Sequence, residues 1–363
     1  MARQLQTDRV LFGTVVVLLL FGLIMVFSAS AVIAQDGYGS SYHFLFRQGF
    51  WAIIGLVLMV IMMNFDYRRL ARPTFIFPAL AIQLLLLLVA LFQSPVHNTH
   101  RWVHMGRVAI QPSELSKVVI VIFLAVFLEM RKGEIEDWKR TLLPIGLVVG
   151  LDGLLILKEP DFGTAMALCM IVAAMLFVAG LRLVYFGYAM LAAFPMLIFL
   201  IFDAGYRAKR ITAFLHPYSD PLGVGFQIIQ SYIAVGTGGI AGLGLMEGKE
   251  KLFFLPEPQN DFIFAVISEE LGFIGAVLVI ALFGVILWRG LRAAARCSND
   301  FGRLLAVGIT VMVVGQALVN ISVVIGLLPT KGIPLPLISY GGSSLVMTLL
   351  AIGILLNISQ NTS

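Results

Sequence analysis

The sequence predicts an all-α integral membrane protein with ten transmembrane helices and a large, partly helical extracellular connection between helices seven and eight. Three observations carry this prediction. Of the 363 residues, 60% are hydrophobic and only 12% are charged, against roughly half and a quarter in soluble domains. The mean hydropathy is +0.97, so a soluble core could not bury this much apolar surface. The apolar residues also fall into ten runs that are long enough to cross a bilayer.

Each predicted helix is a run of ~20 mostly apolar residues, the length that crosses the hydrocarbon core of a membrane. The first run is too long for the apolar part of a signal peptide and lacks a convincing cleavage site, so we expect a retained helix. Residues 1–363 then form a single polytopic membrane domain. The runs cover residues 10–34, 46–63, 75–93, 113–130, 141–157, 162–180, 183–202, 262–288, 303–328 and 338–358.

The distribution of Lys and Arg predicts that both termini are cytoplasmic. With the N-terminus inside, the short inner segments carry fourteen of these residues and the short outer loops carry six, and cytoplasmic loops are the ones enriched in basic residues. The acidic residues then collect at the outer boundary. Because basic inner loops explain the net charge of +5, nucleic-acid binding is disfavoured.

The connection over residues 203–261 is the large extracellular loop of this prediction. Loops of this length are usually functional or disordered, and this one is too apolar to be disordered. Its apolar residues between 226 and 235 predict a helix that lies against the membrane or partly re-enters it.

The segment LPEPQNDFIFAVISEELGF, residues 255–273, puts Asp261 where a proline-containing loop becomes helix eight. A carboxylate at this point either caps the helix or carries chemistry, and the spacing alone leaves both alternatives open. Ser268 lies below Asp261 on the same helix face, and Glu269 lies about 80° around the helix from it. Both are expected to shape a polar cavity or to bond to neighbouring helices. Glu270 points elsewhere.

Further polar residues cluster at the outer ends of other helices. Glu114 and Lys117 share a helix face, where the pair either organises a site or neutralises itself at the membrane boundary. Arg101 and Trp102 suit an interfacial anchor as well as a binding site. Arg210 ends a short basic set that is able to hold phosphate or lipid headgroups.

The sequence gives no pattern for a resident metal, disulfide or nucleotide. Cys169 and Cys297 lie in segments that we do not expect to meet, and the scattered acidic residues have no recognisable ligand spacing. A P-loop is missing as well, so ATP-driven transport has no support.

Five motifs follow one another along the chain and together resemble the SEDS family (shape, elongation, division and sporulation). The resemblance covers essentially the whole chain. The motifs are RW at 101–102, QPSELSK at 111–117, EPDFGTA at 159–165, PEPQNDFIF with EELGFIG within 256–275, and PTKGIPLPLISYGGSS at 329–344, preceded by Asn320.

Within this family, the last motif and the SAS triplet at 28–30 resemble the division subfamily, FtsW, more than the elongation subfamily, RodA. The pair Gln259 and Asn260 stands where members commonly have His and Thr, which argues against a role for a histidine there. Asp261 itself is retained.

The resemblance implies a peptidoglycan glycosyltransferase that polymerises lipid II on the outer face of the bacterial cytoplasmic membrane. In this reaction an acceptor sugar hydroxyl must lose a proton as it attacks the donor, so one positioned base is needed, and Asp261 is the candidate. Because an unperturbed aspartate has a pKa of ~3.9 and is a weak base, we expect burial to raise the pKa of Asp261.

The leaving group is a polyprenyl pyrophosphate, which needs cations more than it needs a general acid. The candidate cations are Arg101, Lys117, Arg210 and Lys249, the last two on position alone. Trp102, Glu114 and Lys117 are carried over from the family pattern as functionally sensitive, and Glu114 and Lys117 are expected to organise the cavity. Direct displacement inverts the anomeric centre, as a β-linked glycan requires.

The family also implies partners and leaves alternatives open. A class B penicillin-binding protein is expected as the crosslinking partner, together with other septal division proteins and membrane lipids, and a divalent cation at the pyrophosphate is left open. The alternatives are an elongation polymerase of the RodA type, a passive scaffold, and a lipid II flippase. In a flippase, Asp152 within helix five would be a proton-linked site.

Overall fold

The computed structural model describes residues 7–93, 100–106, 108–203, 205–252, 254–330 and 332–360, and this part of the chain is predominantly helical. It contains twelve α-helices and one antiparallel hairpin, formed by β1 (Val103–Met105) and β2 (Val108–Ile110). The predicted all-α class is thereby confirmed. The helices are α1 (Arg9–Tyr38), α2 (His43–Asn64), α3 (Pro73–Phe92), α4 (Pro112–Met130), α5 (Leu143–Lys158), α6 (Phe162–Ala179), α7 (Leu183–Asp203), α8 (Gly205–Leu215), α9 (Phe226–Thr237), α10 (Ile263–Arg296), α11 (Asp300–Val324) and α12 (Gly342–Gln360).

Within the described residues, eight helical spans are long and apolar enough to cross a membrane: α1, α2, α3, α6, α10, α11, α12, and α5 together with the helical turn Trp138–Leu142 that precedes it. Helix α4 has a suitable length of 19 residues but carries Glu114, Lys117 and Glu129. Helix α7 adds a shorter apolar stretch, Leu183–Pro195. The ten predicted runs coincide with α1–α7 and α10–α12, and the number of ten crossings stays a prediction.

Helices α11 and α12 form the centre of the bundle. In each, 83% of the most apolar stretch is buried inside the protein, against 22% in α2. A helix that is apolar all round and buried on all sides is surrounded by other helices, whereas the exposed apolar face of α2 suits lipid. Gly353 lets α12 approach α2, since a methyl group there would come within 2.5 Å of the Met59 carbonyl oxygen.

Helix α10 is broken near its start, where the sequence predicts a continuous helix. Gly272 has φ 64° and ψ −162°, a conformation that favours glycine. The break frees backbone groups, which must be satisfied when they are buried. Residues 239–244 of the preceding connection supply the partners through four backbone hydrogen bonds of 2.9–3.2 Å to residues 269–274.

The connection over residues 203–261 contains α8 and α9, followed by a run of turns. The helix predicted over residues 226–235 is α9. It packs against α10 and α11, and the Ser231 hydroxyl donates a 2.8 Å hydrogen bond to the Val324 carbonyl at the end of α11. This packing buries Ile228 and Ala234 but leaves Ile233 exposed, and the membrane contact of this helix stays a prediction.

Candidate functional site

Asp261 lies in the turns just before α10 and is partly exposed. Of the two alternatives for its carboxylate, capping of the helix is not observed: no described residue donates a hydrogen bond to it, and Phe262 at the cap position has no side-chain cap either. One carboxylate oxygen faces the bare backbone of Gly332, where a methyl group would come within 2.8 Å of it. Among the described residues, therefore, no hydrogen bond occupies the carboxylate, and only its backbone is anchored.

The PTKGIPLPLISYGGSS motif fixes the backbone around Asp261. Three consecutive carbonyl oxygens, those of residues 259, 260 and 261, each accept a hydrogen bond. The donors are the Tyr340 amide at 2.9 Å, the Ser339 hydroxyl at 2.6 Å and the Asn320 side-chain amide at 2.8 Å. Asn320 also donates to the Ile333 carbonyl at 2.7 Å. The conspicuous motif thus positions the carboxylate that lies about 70 residues before it in the sequence.

The electrostatic surroundings of Asp261 bring its titration to neutral pH. Burial, and after it the negative charge of Glu257, raise the pKa of Asp261 to about 7, while Arg101 and Arg210 act to lower the pKa. Glu257 is held near by a 2.7 Å hydrogen bond from the Asn260 side chain. The expected rise in pKa is confirmed, and at neutral pH the carboxylate is both substantially ionised and a stronger base than an ordinary aspartate.

Arg101 belongs to this site through its charge and is anchored by the EPDFGTA segment. Its Nε donates to the Glu159 carbonyl at 3.2 Å, and its Nη2 donates to the Pro160 carbonyl at 2.5 Å. These two bonds hold the guanidinium where it acts on the Asp261 carboxylate. Trp102, the next residue, is partly exposed.

The Glu159 carboxyl group is fully buried, and neither of its oxygens has a hydrogen-bond partner among the described residues. Burial, and after it the neighbouring Asp161, raise the pKa of Glu159 to about 9. At neutral pH the group is consequently protonated, and it leaves the charge of Arg101 uncancelled.

Asp161 joins three of the motifs. Its carboxylate caps α6 by accepting from the Thr164 amide at 3.1 Å, and it also accepts from the Gln111 side chain at 3.1 Å. The backbone amide of Gln111 in turn donates to the Ser343 hydroxyl at 3.2 Å. The starts of α4, α6 and α12 are thereby linked at one end of the bundle.

Glu114 and Lys117 form a buried ion pair that does not contact Asp261 directly but is connected to the motif around it. The two residues are 4% and 3% exposed, and the Lys117 ammonium lies 3.0 Å from Glu114. Lys117 also donates to the Gln316 side chain at 2.7 Å, and Gln316 donates to the Pro334 carbonyl at 2.9 Å. The pair is therefore linked, through Gln316, to Pro334 of the PTKGIPLPLISYGGSS motif, the segment that also faces Asp261.

The remaining predicted site residues lie in two places. Arg210 donates to the Thr330 carbonyl at 3.4 Å and acts electrostatically on Asp261. The Lys249 side chain is exposed, and its backbone amide donates to Glu269 at 2.7 Å. Ser268 is buried and donates to the Phe264 carbonyl of its own helix at 2.8 Å. Glu269 accepts from the backbone of the preceding connection, so it shapes that connection rather than contacting Asp261.

Residues that the motif pattern did not single out include Ser339 and Gln316, and both act on the backbone near the site. Ser339 lies within the 329–344 motif, so the signal for it was present in the sequence. Gln316 is a polar residue inside an otherwise apolar helix, and an intramembrane polar side chain is itself a signal of an interhelical hydrogen bond. In the part of the chain that the structure describes, no group of three or more His, Cys, Asp or Glu residues is close enough to hold a metal ion.

Comparison with known proteins identifies the family of this chain. The model of the FtsW, RodA and SpoVE family, described as cell cycle proteins, matches residues 8–363. Stage V sporulation protein E of Bacillus subtilis is 43% identical over 359 residues, which are 99% of this chain and 98% of that protein. A probable peptidoglycan glycosyltransferase FtsW of Trichlorobacter lovleyi is 42% identical over 360 residues, 98% of this chain and 94% of that protein.

Two solved structures share the fold along the full length. A chain from a peptidoglycan synthase complex that coordinates polymerization and crosslinking has a TM-score of 0.81 and 31% identity, with 98% of both chains covered. The rod shape determining protein RodA of Thermus thermophilus has a TM-score of 0.72 and 27% identity, with 99% of this chain and 98% of that chain covered. The match over residues 8–363 and these full-length relatives show that the chain belongs to the FtsW/RodA/SpoVE family of cell cycle proteins.

Proposed function

We propose that this protein is a peptidoglycan glycosyltransferase that joins lipid II units into glycan strands for septal wall synthesis. The observation that carries the proposal is the Asp261 carboxylate, which is fixed by three backbone anchors, free of hydrogen bonds from described residues, and titrates with a pKa of about 7. Several relatives about 42% identical are named as probable peptidoglycan glycosyltransferases FtsW, which supports this activity and the division role.

The proposed membrane arrangement has ten crossings, α1–α7 and α10–α12, with both termini in the cytoplasm. The excess of Lys and Arg in the inner loops supports this orientation. It puts residues 203–261, and with them Asp261, on the outer side of the cytoplasmic membrane of a bacterium. The linked starts of α4, α6 and α12 then lie at the same outer boundary, where a lipid-linked sugar is accessible.

In the proposed reaction, Asp261 takes the proton from the 4-hydroxyl of the acceptor sugar as that oxygen attacks the anomeric carbon of the donor. The new glycosidic bond forms as the bond to the polyprenyl pyrophosphate breaks, with inversion at the anomeric carbon. The departing pyrophosphate carries the negative charge, which a nearby guanidinium stabilises most where water is excluded. Arg101 and Arg210, which both act electrostatically on Asp261, supply that charge.

The other candidate residues have supporting roles in this proposal. Glu114 and Lys117 hold the PTKGIPLPLISYGGSS motif through Gln316. Trp102 offers an aromatic surface beside Arg101. Lys249 lies on the outer connection, where a lipid-linked phosphate approaches. Glu269 and Ser268 shape the start of α10. A divalent cation at the pyrophosphate stays an open part of this proposal, and the effect of chelation with EDTA on glycan synthesis tests it.

A class B penicillin-binding protein is the proposed crosslinking partner, acting with other septal proteins in the membrane. The support is the similar chain that belongs to a peptidoglycan synthase complex for polymerization and crosslinking. Co-purification with the cognate transpeptidase tests the pairing. A rise in glycan synthesis on its addition is the expected result.

Reconstitution separates polymerisation from lipid II transport. The purified protein is placed in liposomes that carry lipid II in the outer leaflet alone, and the products are separated by size. A polymerase converts this lipid II into glycan, whereas a flippase only redistributes it between leaflets. Asp261→Asn is expected to fold normally and to make no polymer, and normal glycan chains from that variant would refute the assignment of Asp261.

A further inference from the structure

A second buried ion pair lies outside the site described above. The Lys251 ammonium is 2.5 Å from a Glu270 carboxylate oxygen, and the two side chains are 4% and 0% exposed. The Ser28 hydroxyl donates to the same carboxylate at 2.7 Å and accepts from Lys251 at 3.1 Å. These three residues join α1, α10 and the connection between α9 and α10, and nothing in the proposed reaction uses them.

The residue next to Glu270 holds the same part of the connection. One carboxylate oxygen of Glu269 accepts hydrogen bonds from the Lys249 amide at 2.7 Å and the Glu250 amide at 3.2 Å. Two consecutive acidic residues of α10 therefore hold residues 249–251. Together with the backbone pairing of residues 239–244 at the Gly272 break, they bind a segment that we call the α10 strap, residues 239–251, to the start of α10.

The α10 strap leads directly into the residues around Asp261. The Leu255 amide donates to the Glu250 carbonyl at 2.8 Å, and Leu255 is buried. Glu257, whose charge raises the pKa of Asp261, follows two residues later. The residues that carry Glu257 and Asp261 are thus held at one end by the α10 strap and at the other by the three carbonyl anchors.

We propose that Lys251, through its ion pair with Glu270 and its bond to Ser28, is a positioning residue that holds Glu257 and Asp261 in their reactive arrangement. This inference rests on the proposed role of Asp261 as the base. A buried ion pair is weak evidence for stability, because the two charges must be desolvated, but its loss leaves one charge uncompensated and its geometry specifies a register. The ion pair fixes the position of residue 251 relative to α10, and this position constrains the residues that follow it as far as Asp261.

The test uses the full-length protein in liposomes and the variant Lys251→Met. We expect kcat for glycan synthesis to fall about 10- to 100-fold with KM changed less than about twofold, since a displacement of about 1 Å costs this much in rate. Glu257 moves away from Asp261, so the acid limb of the pH profile shifts to lower pH. Amide hydrogen exchange at residues 249, 250 and 255 accelerates about tenfold or more.

Two further variants make the test specific. Glu247→Gln removes an exposed charge from the α10 strap and is expected to leave the rate, the pH profile and the exchange unchanged. The exchange of partners in Lys251→Glu with Glu270→Lys is expected to restore part of the lost rate. A Lys251→Met variant that melts at a lower temperature but keeps the wild-type pH profile and amide exchange would overturn the proposal.

The failure of this inference can be told from the failure of the proposed function. If Asp261→Asn still makes polymer, Asp261 is not the base and the positioning role falls with it. If Asp261→Asn is inactive and Lys251→Met behaves as wild type in rate and exchange, the proposed function stands and only the role of Lys251 is lost.

Discussion

The side chain of Asn320 holds the backbone of Asp261. Its amide nitrogen donates to the Asp261 carbonyl at 2.8 Å and, at the same time, to the Ile333 carbonyl at 2.7 Å. One side chain near the end of α11 therefore joins the residues before α10 to Ile333, in the part of the PTKGIPLPLISYGGSS motif that precedes α12. The position of the proposed base depends on this clamp as much as on its own helix.

Asn320→Leu is expected to abolish both hydrogen bonds while keeping a side chain of similar size. Two carbonyls lose their partner, so the variant should be destabilised by about 1–3 kcal/mol, and glycan synthesis should fall about 10- to 100-fold as Asp261 moves. Polymerisation rates and melting temperatures in detergent measure the two effects. Asn64→Ala, an exposed residue whose side chain bonds to its own helix, is the control, and full activity in Asn320→Leu would contradict the clamp.

The pKa of Asp261 predicts a pH dependence of catalysis. A general base acts when it is deprotonated, so kcat/KM should fall as pH drops through about 7. Glu257→Gln removes a negative charge that raises this pKa, and it should therefore move the acid limb to lower pH. Glu247→Gln, an exposed acid further from the base, should not move it. An unchanged limb in Glu257→Gln would mean that Asp261 is not the titrating group.

Arg101→Gln should shift the same limb in the opposite direction. Loss of the cation raises the pKa of Asp261, so half-maximal activity moves to higher pH, and the rate at the plateau falls because the pyrophosphate loses a stabilising charge. Arg101→Lys keeps the charge but cannot donate to the Glu159 and Pro160 carbonyls in the same fork geometry. It should retain more of the wild-type pH profile than of the wild-type rate, and equal behaviour of both variants would argue against the electrostatic role.

Lys117→Met should destabilise the protein by about 3–5 kcal/mol, because it leaves the buried Glu114 charge without its partner. The double variant Glu114→Gln with Lys117→Met removes both charges, and it should recover much of that loss. Melting temperatures of the two variants under one scan rate give the comparison. If the double variant is no more stable than the single one, the ion pair is not the source of the effect.

Glu159→Gln should change how stability depends on pH. Because the pKa of Glu159 rises to about 9 on folding from an ordinary value of ~4.3, the unfolded chain is ionised at neutral pH while the folded protein must bind a proton. Stability from this group is full below the ordinary pKa and is lost as pH rises towards 9, at about 1.4 kcal/mol per pH unit. The stability of the variant should therefore increase relative to that of the wild type as pH rises from 5 to 8, which the difference between their melting temperatures measures. A difference that does not change with pH would contradict a protonated Glu159 carboxyl group.

The sequence predicted the fold class and the approximate limits of the long helices, because runs of apolar residues depend only on local composition. It also predicted Asp261 and Arg101 as site residues, and in the structure the charge of Arg101 acts on the Asp261 carboxylate. It left the capping alternative open, since a cap is a local contact that spacing allows but does not require. The unpartnered carboxylate became apparent only once the neighbouring chain was in place.

Contacts between distant parts of the chain could not be predicted in this way. Ser339 and Asn260 are 79 residues apart in the sequence, and no periodicity connects them. Lys117 is predicted both as a candidate cation for the pyrophosphate and as an organiser of the cavity, and its buried bonds to Glu114 and Gln316 depend on the packing of α4 against α11, which local sequence does not show. The break in α10 also escaped prediction, because a single glycine is common in apolar helices and only the opposing loop reveals its conformation.

That break makes residue 272 a point of genetic fragility. A residue with a side chain would have to adopt a positive φ there, and its Cβ would lie 2.3 Å from the Gly242 amide nitrogen. A single substitution would therefore disturb both α10 and the connection that is hydrogen-bonded to it. The damage would lie several residues from the reacting carboxylate and would alter none of the charges around it. Temperature-sensitive division defects are the phenotype that such an allele should produce.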